Sequence, residues 1–104
     1  MPQTNQPAVV QGATITGRGI GSFLNVTAAT LVKASRGRIA NISVITAGST
    51  VGSANDVASI AGALAANEVF AIPNTIGMYN VDFPCQNGIV VTPGTGQVIA
   101  ISYN

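Results

Sequence analysis

Histidine and tryptophan are absent from this 104-residue sequence, cysteine occurs once, and only four cationic and three anionic side chains are present. Each shortage removes a class of activity. Without histidine the chain lacks the side chain that most often serves as general base and most often ligates transition metals near neutral pH. Cys85 stands alone, so no intramolecular disulfide forms and the fold needs no oxidising compartment. Arg18, Lys33, Arg36 and Arg38 are too few for the phosphate contacts on which duplex nucleic-acid affinity rests. No apolar run approaches the roughly 20 residues of a membrane-spanning helix. The opening MPQTNQPAVVQG has neither the basic n-region nor the apolar h-region of a secretory signal. Synthesis in a cytoplasm is expected, with no nucleic-acid and no membrane partner.

Charged residues make up 7% of the chain, against about 25% in ordinary soluble domains. The surface must therefore be built from Asn, Gln, Thr, Ser, Gly and Ala. A free monomer of this kind lacks the mixed charge that keeps small proteins apart in solution. Much of its surface is expected to be covered by neighbours, in a homo-oligomer or a larger lattice.

What is present is a succession of short β-forming runs punctuated by glycine and proline. Residues 78–104 read MYNVDFPCQNGIVVTPGTGQVIAISYN, three apolar runs separated by Pro84-Cys85-Gln86-Asn87-Gly88 and Pro93-Gly94-Thr95-Gly96. This pattern predicts a β-meander, with Asn87-Gly88 as a hairpin turn. Tyr79, Val81 and Phe83 alternate with Met78, Asn80 and Asp82, the period of a strand with one face on a core. In the last run both registers are mostly apolar, Val98 and Ala100 on one side, Ile99, Ile101 and Tyr103 on the other. Such a strand predicts cover on both faces.

Upstream, strands are predicted at 13–16, 22–26, 30–34, 38–46, 53–57 and 68–72. The longest has Ala40, Ile42 and Val44 on one face and Asn41 and Ser43 on the other, with Ile39 and Ile45 interrupting the polar face. Residues 59–66 are alanine-rich, but Gly62 in their middle costs about 1 kcal/mol relative to alanine in a helix, so a loop is predicted. The glycine-rich stretch 17–21 lacks the GxGxxG spacing and a following helix, and is read as a bend. The chain is thus expected to be all-β: residues 1–12 an extended N-terminal arm, and residues 13–104 one small antiparallel β-sandwich, jelly-roll-like, of about seven or eight short strands.

No motif for catalysis, a cofactor or a metal emerges. Cys85 has Asp82 as its nearest charge, which would raise a thiol pKa, so a packed structural thiol is expected. Asp56, Glu68 and Asp82 lack calcium-loop spacing and are read as solvated carboxylates. The five aromatic side chains are expected to pack rather than to form a ligand platform. Two features carry an interaction reading. Pro2, Gln3, Pro7, Val9 and Val10 suit an arm that docks extended on a neighbour. Lys33, Arg36 and Arg38 cluster at a turn, either as solvated charges or as partners for the carboxylates of another subunit.

Several of these stretches together resemble small structural proteins of tailed bacteriophages: residues 30–38 (TLVKASRGR), 71–77 (AIPNTIG) with Tyr79, 83–91 (FPCQNGIVV) and 93–97 (PGTGQ). The resemblance spans roughly residues 24–104 and implies a virion β-sandwich with a non-enzymatic role. Within that group the composition fits a capsid decoration, or cement, protein on the head surface, bound to the major capsid protein lattice. The resemblance further suggests a homotrimer. The alternative is a tail or fibre component that binds a host surface glycan or receptor.

Overall fold

The computed structural model describes residues 21–104. They form eight strands: β1 (Gly21–Val26), β2 (Thr30–Lys33), β3 (Gly37–Thr46), β4 (Gly52–Asn55), β5 (Glu68–Ile72), β6 (Gly77–Cys85), β7 (Ile89–Thr92) and β8 (Val98–Tyr103). One 3-10 turn, Ala65–Asn67, precedes β5. Two four-stranded sheets result, sheet 1 in the order β1-β8-β3-β6 and sheet 2 in the order β2-β7-β4-β5. Every pairing is antiparallel. The pairs β1/β8, β2/β7, β3/β6 and β4/β5 nest like the rungs of one long hairpin rolled over on itself, which is jelly-roll topology. The all-β sandwich expected from the sequence is the fold observed. The arm, the 13–16 strand and most of the glycine-rich bend lie outside the described residues.

The core lies between the sheets and is aliphatic. Ile39, Ile42, Val44, Ile72, Ile89, Val91 and Ile99 are essentially fully buried, with Ile101 beside them. Each such side chain contributes about 1.5–3 kcal/mol on leaving water, and its β-branch favours the strand that carries it. Phe23, Phe70, Tyr79 and Tyr103 pack around this centre as expected, Phe23 against Tyr103 at 6.0 Å between ring centroids. Phe83 is the departure, 40% exposed.

Strand β3 corrects the simple alternation. Ile39 does not interrupt a polar face; it points into the core with Ile42 and Val44. The parity changes at Ala40, where Ile39 pairs with Tyr103 but Asn41 already pairs with Ser102, one residue taken up by a bulge. The edge strands of the same sheet bulge too. Leu24-Asn25 lies between the pairs Phe23–Ile101 and Val26–Ile99, and Val81-Asp82 between Ile39–Phe83 and Asn41–Asn80. Each of these two edge bulges contains a residue in the left-handed region, Asn25 at φ 54° and Asp82 at φ 47°. Asn and Asp tolerate that conformation better than other side chains.

The expected meander is not formed. β6 lies at the edge of sheet 1 beside β3, β7 lies inside sheet 2 between β2 and β4, and β8 lies inside sheet 1 between β1 and β3. Both connections therefore cross between the sheets, and Asn87-Gly88 is no hairpin. Pro84 and Cys85 belong to β6 rather than to the turn. The second crossing closes with Gln97 N–H donating to the Gly94 carbonyl at 3.0 Å, and Gly96 takes φ 76° in that turn. The strand predicted at 53–57 ends at Asn55, so the loop predicted over 59–66 is longer than expected, and residues 56–67 fold back over the outer side of sheet 2. Asn55 Nδ2 donates to the Leu64 carbonyl at 2.9 Å and to Asn67 Oδ1 at 2.8 Å. Beneath this loop Asn55 and its register partner Val90 are both buried.

Candidate functional site

Lys33, Arg36 and Arg38 do converge, at one end of the sandwich where β2 turns into β3. They border an open depression of about 320 Å³ with Pro84, Gln86 and Asn104. The stem of Lys33 lies over Gly37, where an added Cβ would come within 2.9 Å of its Cδ. Arg38 is paired within the chain: its Nη1 donates to Asp82 Oδ1 at 2.9 Å and to the Asp82 carbonyl at 3.4 Å. That contact involves one nitrogen and one carboxylate oxygen, not the two-pronged fork expected for a partner's carboxylate. The bulge at Asp82 brings the acid to the arginine. Among the described residues Lys33 and Arg36 have no carboxylate within ion-pair distance. Asn104, whose main chain bonds reciprocally to Arg38, has a buried Oδ1 with no hydrogen-bond partner among the described residues. Pro2, Gln3, Pro7, Val9 and Val10 lie outside the described residues.

The carboxylates are less idle than their scatter in the sequence suggests. Asp56 accepts from the backbone N–H groups of Gln86 at 3.0 Å, Asn87 at 2.8 Å and Gly88 at 3.4 Å, so one side chain holds the whole crossing from β6 to β7. Burial opposes its charge, but the backbone donors outweigh burial and hold the carboxyl below its ordinary range. Cys85 next to this turn is buried. Burial, with the Asp56 charge added, pushes its thiol up to about 11. It is therefore a protonated packing group at neutral pH and no nucleophile. Among the described residues no three of His, Cys, Asp or Glu gather as a metal-holding group.

A second surface escaped the sequence reading. On the outward side of sheet 1, Ser22, Ser102, Asn41 and Asn80 form one row across the four strands, and Ala100, Ser43 and Met78 fall in the next. Leu24 completes that second row beside the β1 bulge. Leu24 is 74% and Met78 72% exposed, and between them lies a trough of about 210 Å³ with Ser43, Ala100 and Ser102 in its lining. The signal was in β8, whose two apolar registers predict two covered faces. One is covered: Ile99 and Ile101 enter the core. Val98 and Ala100 face outward half-buried, and no described residues form a layer over them.

A third feature, a shallow cleft of about 320 Å³ on the other sheet, is bordered by the hydroxyls of Thr50, Ser53, Thr92 and Thr95 and by Glu68. No aromatic ring lines it. No protein-family model matches this chain, and no curated protein or solved structure does so either.

Proposed function

We propose that this chain is a non-enzymatic structural protein of a tailed-bacteriophage virion, a capsid decoration protein that binds the major capsid protein lattice on the head surface and stabilises it. The observation that supports this reading is the uncharged central part of the outer face of sheet 1, around Leu24, Ser43, Met78 and Ala100, carried by a jelly roll with few charged side chains. A protein that works by contact needs such a face, and a freely diffusing one is penalised for it. Jelly rolls occur in viral capsids and also in lectins, so the fold alone does not choose. The mechanism is passive bridging: subunits that bury apolar surface against a lattice gain about 25 cal/mol per Å², and the gain opposes internal pressure. Lys33 and Arg36 then supply the charged contact, with Arg38 held back by Asp82.

Copy number tests the reading directly. Hundreds of copies per tailless head, measured by quantitative mass spectrometry of purified particles, are expected; absence from particles refutes it. Replacing Lys33 and Arg36 together with alanine should weaken attachment to undecorated heads, and deleting residues 2–11 should abolish it if the arm docks. The tail or fibre reading has one observation in its favour, the hydroxyl-lined cleft at Thr50, Ser53, Thr92 and Thr95. A few copies per virion, found only with tails, together with glycan binding lost on changing Glu68, would establish it instead.

A further inference from the structure

We propose that the outer face of sheet 1 is a self-association face, and that its occupant is the same face of a second copy of this chain. Charge is the first reason. The outward residues that line the trough, Ser22, Leu24, Asn41, Ser43, Met78, Ala100 and Ser102, include no ionisable group. A face brought against itself across a two-fold axis opposes any charge near that axis with its own copy, at a cost of several kcal/mol. Around the trough there is none to oppose: the described cations gather at one end of the sandwich, and Arg38, the one carried by this sheet, is neutralised there by Asp82 at 2.9 Å. Its serines and asparagines each both donate and accept, so a row such as Ser22–Ser102–Asn41–Asn80 can pair with a copy of itself.

Shape is the second reason. Leu24 and Met78 stand as ridges on the two edge strands, and the small side chains of Ser43 and Ala100 leave a trough between them that an opposing ridge can enter. Four strands about 4.8 Å apart, each about six residues long, present on the order of 400 Å² in projection. With side-chain relief, two such faces bury roughly 1,000 Å² of accessible surface, the lower bound for a specific interface. Association through the strand edges is disfavoured, because both edges of sheet 1 are bulged, at Leu24-Asn25 and at Val81-Asp82. The opposite sheet is no rival: the loop 56–67 already covers part of it. Face-on-face contact of identical surfaces is isologous, so the product is a two-fold dimer.

The test is the mass of the full-length chain in solution, by light scattering and sedimentation equilibrium. Wild type is expected at twice the chain mass. Leu24→Lys and Met78→Lys place a charge on side chains already exposed in the monomer, so the fold should persist by circular dichroism. Each substitution enters the contact twice and should weaken dimerisation by about tenfold or more, and the double variant should be monomeric. Ile60→Lys, on the loop over the other sheet and 47% exposed, should leave the dimer intact. A wild-type monomer overturns the proposal, whether residues 1–20 or another protein covers the face. A trimer, or a dimer indifferent to Leu24→Lys and Met78→Lys, overturns it as well. The inference does not rest on the virion role: particle copy number tests that role, solution mass tests the pairing, and either can fail alone.

Discussion

Gln97 is 1% exposed, and its amide joins two loops that are distant in sequence. Oε1 accepts from the Gly94 N–H at 3.0 Å, and Nε2 donates to the Pro73 carbonyl at 2.8 Å, tying the β7–β8 crossing to the start of the β5–β6 connection. Gln97→Leu keeps the approximate size but leaves that N–H and that carbonyl without partners. A buried group stranded in this way costs about 1–3 kcal/mol, while removing the buried amide and adding apolar surface offsets part of the two penalties. The expected net loss is about 1–4 kcal/mol, a large share of the 5–15 kcal/mol typical of a single domain. Urea unfolding followed by far-ultraviolet circular dichroism measures it as a lower midpoint at unchanged slope. Gln97→Glu separates hydrogen bonding from packing. It keeps the acceptor for Gly94 but turns a buried carboxylate toward the Pro73 carbonyl, which raises the folded-state pKa of the new acid. Its deficit should therefore shrink as pH falls and the acid, once protonated, can donate. A loss below about 0.5 kcal/mol for Gln97→Leu, or a Gln97→Glu deficit that ignores pH, refutes the latch.

Asp56 should shape acid unfolding. Its folded pKa is depressed, so its contribution is fully present above the unfolded value near 3.9 and is lost as pH falls through the folded one. Asp56→Asn should cost about 1–3 kcal/mol at pH 7 and flatten the acid limb of the stability profile, as seen in urea midpoints against pH. Cys85 should resist a water-soluble thiol reagent at pH 8 in the folded protein and react at once in denaturant; rapid labelling of folded protein would contradict its burial. Gly94→Ala should be among the most damaging small changes, since its Cβ would lie 1.9 Å from the Thr50 carbonyl oxygen in the β3–β4 loop. A loss of about 3 kcal/mol or more is expected in the same assay. Arg38→Ala should cost less than about 1 kcal/mol, because the Arg38–Asp82 pair is exposed, and the difference should fade in high salt.

Much of this molecule was legible locally. β5 and β7 begin and end where their apolar runs do, Glu68–Ile72 and Ile89–Thr92, and the Gly62 penalty identified 59–66 as a loop. These are decisions made within a few residues, by side-chain shape, by the period-2 alternation and by the dihedrals of glycine and proline. The class of fold follows from them.

Pairing belonged to the tertiary structure. Period-2 patterning says which side of a strand seeks the core but not which strand lies beside it, so β6, β7 and β8 read as a meander although each has different neighbours. Bulges at Ala40, Asn25 and Asp82 shift parity by one residue, a change that appears only when a partner strand counts the rungs. Asp56 meets its amide donors 30 to 32 residues away and Arg38 meets Asp82 across 44, distances over which sequence spacing carries no geometry. The uncharged trough is of the same kind: Leu24, Ser43, Met78 and Ala100 come from four separate strands. Sequence by itself determined the elements, the aliphatic character of the core and the poverty of charge; only the rolled-over sheet decided which of those residues share a surface, because hydrogen-bonded registry between distant strands is a property of the assembled fold.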